Sequence, residues 1–205
     1  KGLGTPLRVF SGAGPGSPLR RVPAGGPAAK VRAGSTASPS RVGRVIRALV
    51  VMHVFGHPAD LEALDALAAR WGLVLVEDAA ESLGSFYQGR HTGNVGRVSA
   101  LSFNGNKVVT TGGGGAVLTN DPVLGRRAKH LTTTARVAHR WNFLHDEVGY
   151  NYRLPNLNAA LGCAQLEQLP GLLERKRVLA GRYAQAFAGV AGVSMLREPP
   201  QTRGT

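Results

Sequence analysis

The chain has 205 residues, enough for one domain with a real core or for part of a larger one. Its single cysteine excludes an internal disulfide, and no apolar run reaches the length needed to span a bilayer. The formal charge of +13 would suggest nucleic acid if it were spread evenly, but residues 1–47 hold nine Lys or Arg and no acid, while the rest is only mildly basic.

The first 45 residues are rich in Gly, Pro, Ala, Ser and Arg and carry no hydrophobic periodicity, so they read as a basic, disordered leader. Apart from Phe10 the leader lacks aromatics between its cations and contains no recognisable binding module. Neither nucleic acid nor a membrane is therefore an expected partner. It also lacks the apolar core of a secretory signal and the amphipathic repeat of a transit peptide, so the expected location is cytoplasmic. Its bias and its lack of acids fit translation of GC-rich DNA in a wrong reading frame.

From Ile46 onward strand and helix signals alternate. Val50–Phe55 reads as a β-strand ended by Gly56 and Pro58, and Asp60–Arg70 has leucines at helical spacing. After Gly72, Leu73–Glu77 is almost wholly apolar, as strands buried on both faces of an α/β sheet tend to be. Val98–Phe103 and Ala116–Thr119 read as strands flanking a glycine run, and Asp121–Thr132 reads as a helix opened by Asp121 and Pro122. Helices follow at Asn156–Gln168 and Leu172–Phe187, and Val193–Leu196 reads as a further strand. The fold class is α/β. On the first of those last two helices, Cys163 sits among Ala, Leu and Gly and reads as a small buried thiol.

The chemistry centres on Lys107, between a short apolar strand and the glycines Gly112 to Gly115. A lysine held there can form a Schiff base with a carbonyl cofactor, and a pyridine-ring cofactor works best with an acid at its ring nitrogen. Asp78, at the carboxyl end of a predicted strand, can supply that acid. The glycines let the backbone approach a ligand closely, and Ser102, Thr110, Thr111, Asn104 and Asn106 offer polar groups for a phosphate. No Gly-Lys-Ser/Thr sequence follows the glycines, so this is not a P-loop. His53 and His57, flanking a Phe-Gly pair before Pro58, read as structural hydrogen-bonding groups, whereas His91, His139 and His145 are candidates to face a substrate. No His pair shows metal spacing on a helix, and no metal is expected.

Several long segments carry a resemblance: HVFGHPADLEAL, VEDAAESLGSFYQGRHTGNVG, LSFNGNKVVTTGGGGAVLTND, AKHLTTTA and HDEVGYNYRLPNLNAALGCAQLEQL. From about Val45 to about Gly192 the chain resembles the DegT/DnrJ/StrS family of nucleotide-sugar aminotransferases that depend on pyridoxal 5'-phosphate. Within that family it is most similar to LegC-like members, which act on nucleotide-linked keto-amino-sugars for surface polysaccharides and nonulosonic acids such as legionaminic acid.

The resemblance implies a three-layer mixed sheet of the aspartate aminotransferase (fold type I) large domain, incomplete here. It implies a central part of that domain at 46–192 and the start of a C-terminal domain at 193–205. It makes Lys107 the lysine that binds the cofactor aldehyde and carries a proton to the sugar carbon. It places Asp78 at the pyridine nitrogen, Glu81 near the phenolic oxygen and Ser102 at the phosphate. Asn151 in GYNYR would reach the phosphate in a neighbouring subunit, which implies a homodimer. The implied substrates are glutamate and a 4-keto nucleotide sugar. An inactive fragment, or a non-catalytic binding relative of the family, is the alternative.

Overall fold

A computed structural model describes residues 46–205, so the leader expected at 1–45 lies outside the described residues. The body opens with a parallel β–α–β unit: β1 (Ala48–Met52), α1 (Leu61–Trp71) and β2 (Val74–Asp78). Sequence sets the limits of α1 directly. The Asp60 carboxylate caps it by accepting from Ala63 N–H at 3.1 Å, and Gly72, at φ 62°, ends it in the left-handed conformation. The strand expected at Val50–Phe55 stops at Met52, because a 3-10 turn at Val54–Gly56 puts Phe55 at φ 51°.

A short hairpin, β3 (Phe86–Tyr87) and β4 (Arg90–His91), leads to β5 (Val98–Ser102), which pairs parallel with β2. Across the glycine run the chain returns antiparallel as β6 (Gly115–Leu118), giving a mixed sheet of order β1-β2-β5-β6. Next comes α2 (Pro122–Thr132), capped by the Asp121 carboxylate, which accepts from Val123 N–H at 2.8 Å and Leu124 N–H at 3.3 Å. A small hairpin of β7 (Arg136–Val137) and β8 (Leu144–His145) precedes α3 (Asn156–Glu167) and α4 (Leu169–Ala186). No strand forms at Val193–Leu196. Instead β9 (Thr202–Arg203) pairs with β3, because there the chain finds an open edge with partners in register.

Pleating decides which side chains share a face of the sheet. In register, Leu49, Leu75 and Arg97 fall on one side with Val51, Glu77, Ser99, Leu101, Ala116 and Leu118. This side is covered. Leu75 packs with Leu61 and Ala68 of α1, while Leu101 and Leu118 pack with Ala79, Leu83, Phe103 and Val109 against Leu169 and Leu172 at the start of α4. The other side carries Val50, Met52, Asp78, Ala100, Ser102 and Val117, and there Val50, Met52 and Val117 remain half or more exposed. Thus β2, expected to be buried on both faces, alternates buried and half-buried residues.

Cys163 is also exposed, against expectation. The packed face of α3 is the one bearing Gly162, where an added Cβ would come within 2.9 Å of Thr111, and the next residue along a helix points away from it. Among the described residues no helix is long and apolar enough to cross a membrane.

Candidate active site

Just past the carboxyl ends of the parallel strands, a cleft of about 290 Å³ opens between the turns that follow β2 and β5. Glu81, Ser102, Asn106 and Lys107 line it, with Ala80 and Phe55 nearby. This is where open α/β sheets place their ligands, because loops from neighbouring strands converge there.

Lys107 closes the turn after β5, its N–H donating to Asn104 O at 3.1 Å. Its ammonium lies 3.4 Å from Glu81 Oε1, and the other carboxylate oxygen of Glu81 accepts from Phe55 N–H at 2.8 Å. That backbone donor first, and Lys107 second, hold the Glu81 carboxyl below the usual glutamate range. The unusual φ of Phe55 has a local consequence: it presents this N–H to the cleft. Sequence reasoning had no signal for that donor.

Ser102 reaches the same cleft from the last residue of β5, where its hydroxyl oxygen accepts from Asn104 N–H at 3.3 Å. Asp78 falls in register with Ala100, two residues before Ser102 on the adjacent strand, so Asp78 and Ser102 share the open face of the sheet. Its carboxylate accepts from Ala80 N–H at 3.1 Å; Ala80 lines the cleft, and Asp78 itself does not. Asn151 is far along the chain and pairs with Thr133 in an isolated bridge, outside the cleft that holds its own Lys107. It borders a separate groove of about 560 Å³ lined by Thr133, Arg136, His139, Arg140 and Arg153.

Other expectations are corrected. The glycine run serves the strand return more than a ligand: a Cβ at Gly115 would overlap Leu101 O, and Gly114 adopts φ +93° with its carbonyl accepting from Phe103 N–H. The Thr110 hydroxyl donates to Phe103 O at 3.2 Å and that of Thr111 donates to Gly113 O, so both are spent inside the loop. α3 braces this loop from outside, through Asn158 Nδ2 to Thr111 O at 2.5 Å and Gln165 Oε1 accepting from Thr110 N–H at 3.2 Å.

The histidines separate cleanly. His53 is buried, accepts Ala59 N–H at Nδ1 and therefore donates Nε2–H to Glu77, as the structural reading expected. His57 does not follow suit: its Nδ1 is buried with no hydrogen-bond partner. His91, a substrate candidate by sequence, is structural. Gly84 N–H donates to its Nε2 at 2.7 Å, its Nδ1–H donates to Thr92 O, and burial first of all lowers its pKa. His139 does line the Arg136–Arg153 groove, and its Nδ1 accepts from Asn142 N–H at 2.9 Å.

The donor set suits pyridoxal 5'-phosphate: a primary amine for an aldehyde, a carboxylate beside that amine, a hydroxyl and an amide for phosphate oxygens, and an acid on the same sheet face for a ring nitrogen. Alanine at position 80 keeps that part of the cleft wall small.

Comparison with known proteins agrees. Residues 35–204 match the DegT/DnrJ/EryC1/StrS aminotransferase family. A GDP-perosamine synthase of Escherichia coli O157:H7 is 44% identical over 137 residues, covering 67% of this chain and 37% of that protein. EpsN of Bacillus subtilis (strain 168), named for a pyridoxal phosphate-dependent aminotransferase, is 38% identical over 158 residues, 77% of this chain and 40% of its own length. The crystal structure of Streptomyces venezuelae DesV in complex with a ketimine intermediate superposes with a TM-score of 0.71 at 39% identity, covering 77% of this chain and 42% of that one. The chain thus spans about two fifths of the curated relatives it matches. Its mixed sheet is that of the sugar aminotransferases, and the chain belongs to the DegT/DnrJ/EryC1/StrS aminotransferase family.

Proposed function

We propose that this chain carries the cofactor-binding part of an aminotransferase that moves an amino group from glutamate to a 4-keto nucleotide sugar. The observation that supports this most directly is the placement of Lys107 with Glu81 and Ser102 in one cleft beyond the strand ends. When bound, pyridoxal 5'-phosphate supplies an electron sink for the carbon that gains or loses the amino group.

In this reading the residues of the chain divide the remaining work. Lys107 Nζ would hold the cofactor through its aldehyde carbon, and its free amine would carry a proton to and from the reacting carbon. Asp78, on the open face, keeps a proton on the ring nitrogen. Glu81 fixes the direction of Lys107, because a carboxylate tethered to Phe55 N–H cannot follow the ammonium as it moves. Ser102 holds phosphate oxygens. Asn151 lies outside its own cleft and serves the site of a second subunit, so the working form is a homodimer.

The sugar is proposed as a class. GDP-perosamine synthase stands among the relatives, and a LegC-like substrate on the route to legionaminic acid is the finer form of the proposal. The test supplies the chain with pyridoxal 5'-phosphate, glutamate and a panel of GDP-, UDP- and dTDP-linked 4-keto sugars, and measures 2-oxoglutarate together with the amino sugar. One panel member giving equal amounts of both products, and no turnover by Lys107→Ala, supports the reading. Turnover unchanged in Lys107→Ala contradicts it.

A further inference from the structure

The lining of the Lys107 cleft includes a second lysine, which the proposed reaction does not yet employ. α4 sends two consecutive basic residues to different places. Lys176 lines the cleft. Arg177 turns to the segment 198–205, where it donates to Glu198 Oε1 at 3.1 Å and to Gly204 O. The same Glu198 oxygen accepts from Gly204 N–H at 2.8 Å, while Gln88 Nε2 donates to Gln201 Oε1 at 2.7 Å beside the β3–β9 pairing.

This strap reaches the cleft. Thr205 lines it, its hydroxyl 3.5 Å from Glu81 O and so close to Gly56 that an added Cβ there would overlap it. A shift of α4 that withdrew Lys176 would break the bonds of Arg177 to Glu198 and Gly204, so the latch fixes the position of Lys176.

Glu81 is the acid among the cleft-lining residues, and Lys107 and Phe55 N–H already engage it. Lys176 makes no ion pair among the described residues. With two lysines and one acidic side chain on the lining, Lys176 is left without a carboxylate partner among the described residues, and a lysine on a flexible stem meets an anionic oxygen as a point charge.

We propose that Lys176 is an anion-binding residue of the Lys107 cleft, taking a phosphate or carboxylate oxygen of the ligand, and that Arg177 and Glu198 are its positioning residues. The inference rests on the cofactor reading of the cleft. Its test compares pyridoxal 5'-phosphate with pyridoxal, which lacks the phosphate, by titrating adduct absorbance and by borohydride trapping at Lys107.

If the anion is the phosphate, Lys176→Met loses about tenfold in affinity for pyridoxal 5'-phosphate and little for pyridoxal, the worth of one charge-assisted hydrogen bond at an open site. Lys176→Arg restores most of the preference, and Glu198→Gln loses part of it. If the anion is the carboxylate of the amino donor, both aldehydes bind Lys176→Met as before, but about tenfold more glutamate is needed to bleach the adduct. Unchanged aldehyde preference together with unchanged glutamate response overturns the inference. Failure of the native chain to label at Lys107 with either aldehyde overturns the cofactor reading itself, and this inference with it.

Discussion

Glu77 and Asp78 are neighbours at the end of one strand, yet they lie on opposite faces of the sheet and in opposite environments. Glu77 is fully buried and accepts from His53 Nε2–H, Gly93 N–H, Val95 N–H and Gly96 N–H. Burial pushes its carboxyl up, but the four donors outweigh that and hold it below the ordinary glutamate range. Asp78 is half-buried and accepts from Ala80 N–H alone among the described residues. One carboxylate is consumed in fastening the loop 93–96 to the sheet, and the other takes a single local backbone donor among the described residues. The same strand therefore fastens the scaffold with Glu77 on the covered face and turns Asp78 to the open one.

The largest expected effect tests this contrast. Glu77→Ala removes the acceptor of four buried donors and is expected to cost about 3–5 kcal/mol in urea unfolding. Asp78→Ala is expected to cost about 1 kcal/mol, one local hydrogen bond, while weakening pyridoxal 5'-phosphate binding. Equal losses of stability would abolish the distinction between the two residues.

The apolar residues of the two faces give a second, smaller contrast. Leu75, buried under α1, is expected to cost about 2–5 kcal/mol on truncation to alanine. Val50, 66% exposed on the open face, is expected to cost about 0.5 kcal/mol.

The smallest effect is in pH. The pKa of His91 is lowered by burial, so the unfolded chain takes up its proton first, and stability falls as pH drops below about 6.5 until the folded value is reached. Glu77 acts lower down: its contribution is complete above the ordinary glutamate value near 4.5 and is lost as pH falls through its depressed folded value. Melting temperature measured from pH 7.5 to 3.5 should show both declines, and His91→Gln should flatten the upper one alone.

Much of this was legible in the residues. Asp60 and Gly72 mark the ends of α1, Asp121 and Pro122 open α2, and the run from Leu101 to Gly115 marks the lysine loop. Asp78 was singled out as the candidate acid, but the buried role of Glu77 had no signal, because which of two adjacent residues faces a helix depends on the register with β1 and β5. The exposure of Cys163 depended likewise on which side of α3 meets Thr111. β9 was invisible: two residues with no strand pattern pair only because β3 offers them an edge, while the apolar Val193–Leu196 finds none. The strap's contribution of Thr205 to the cleft follows from that pairing and from Arg177, neither of which has a local signature.

The central claim is that the cleft beyond the strand ends, through Lys107, holds an aldehyde cofactor. The direct test mixes the chain with pyridoxal 5'-phosphate, reduces with borohydride and maps the labelled peptide by mass spectrometry. The account predicts label on Lys107, weaker in Asp78→Asn at limiting cofactor and absent in Lys107→Ala. Label spread over exposed lysines, with Lys107 no more reactive than Lys129, would contradict it.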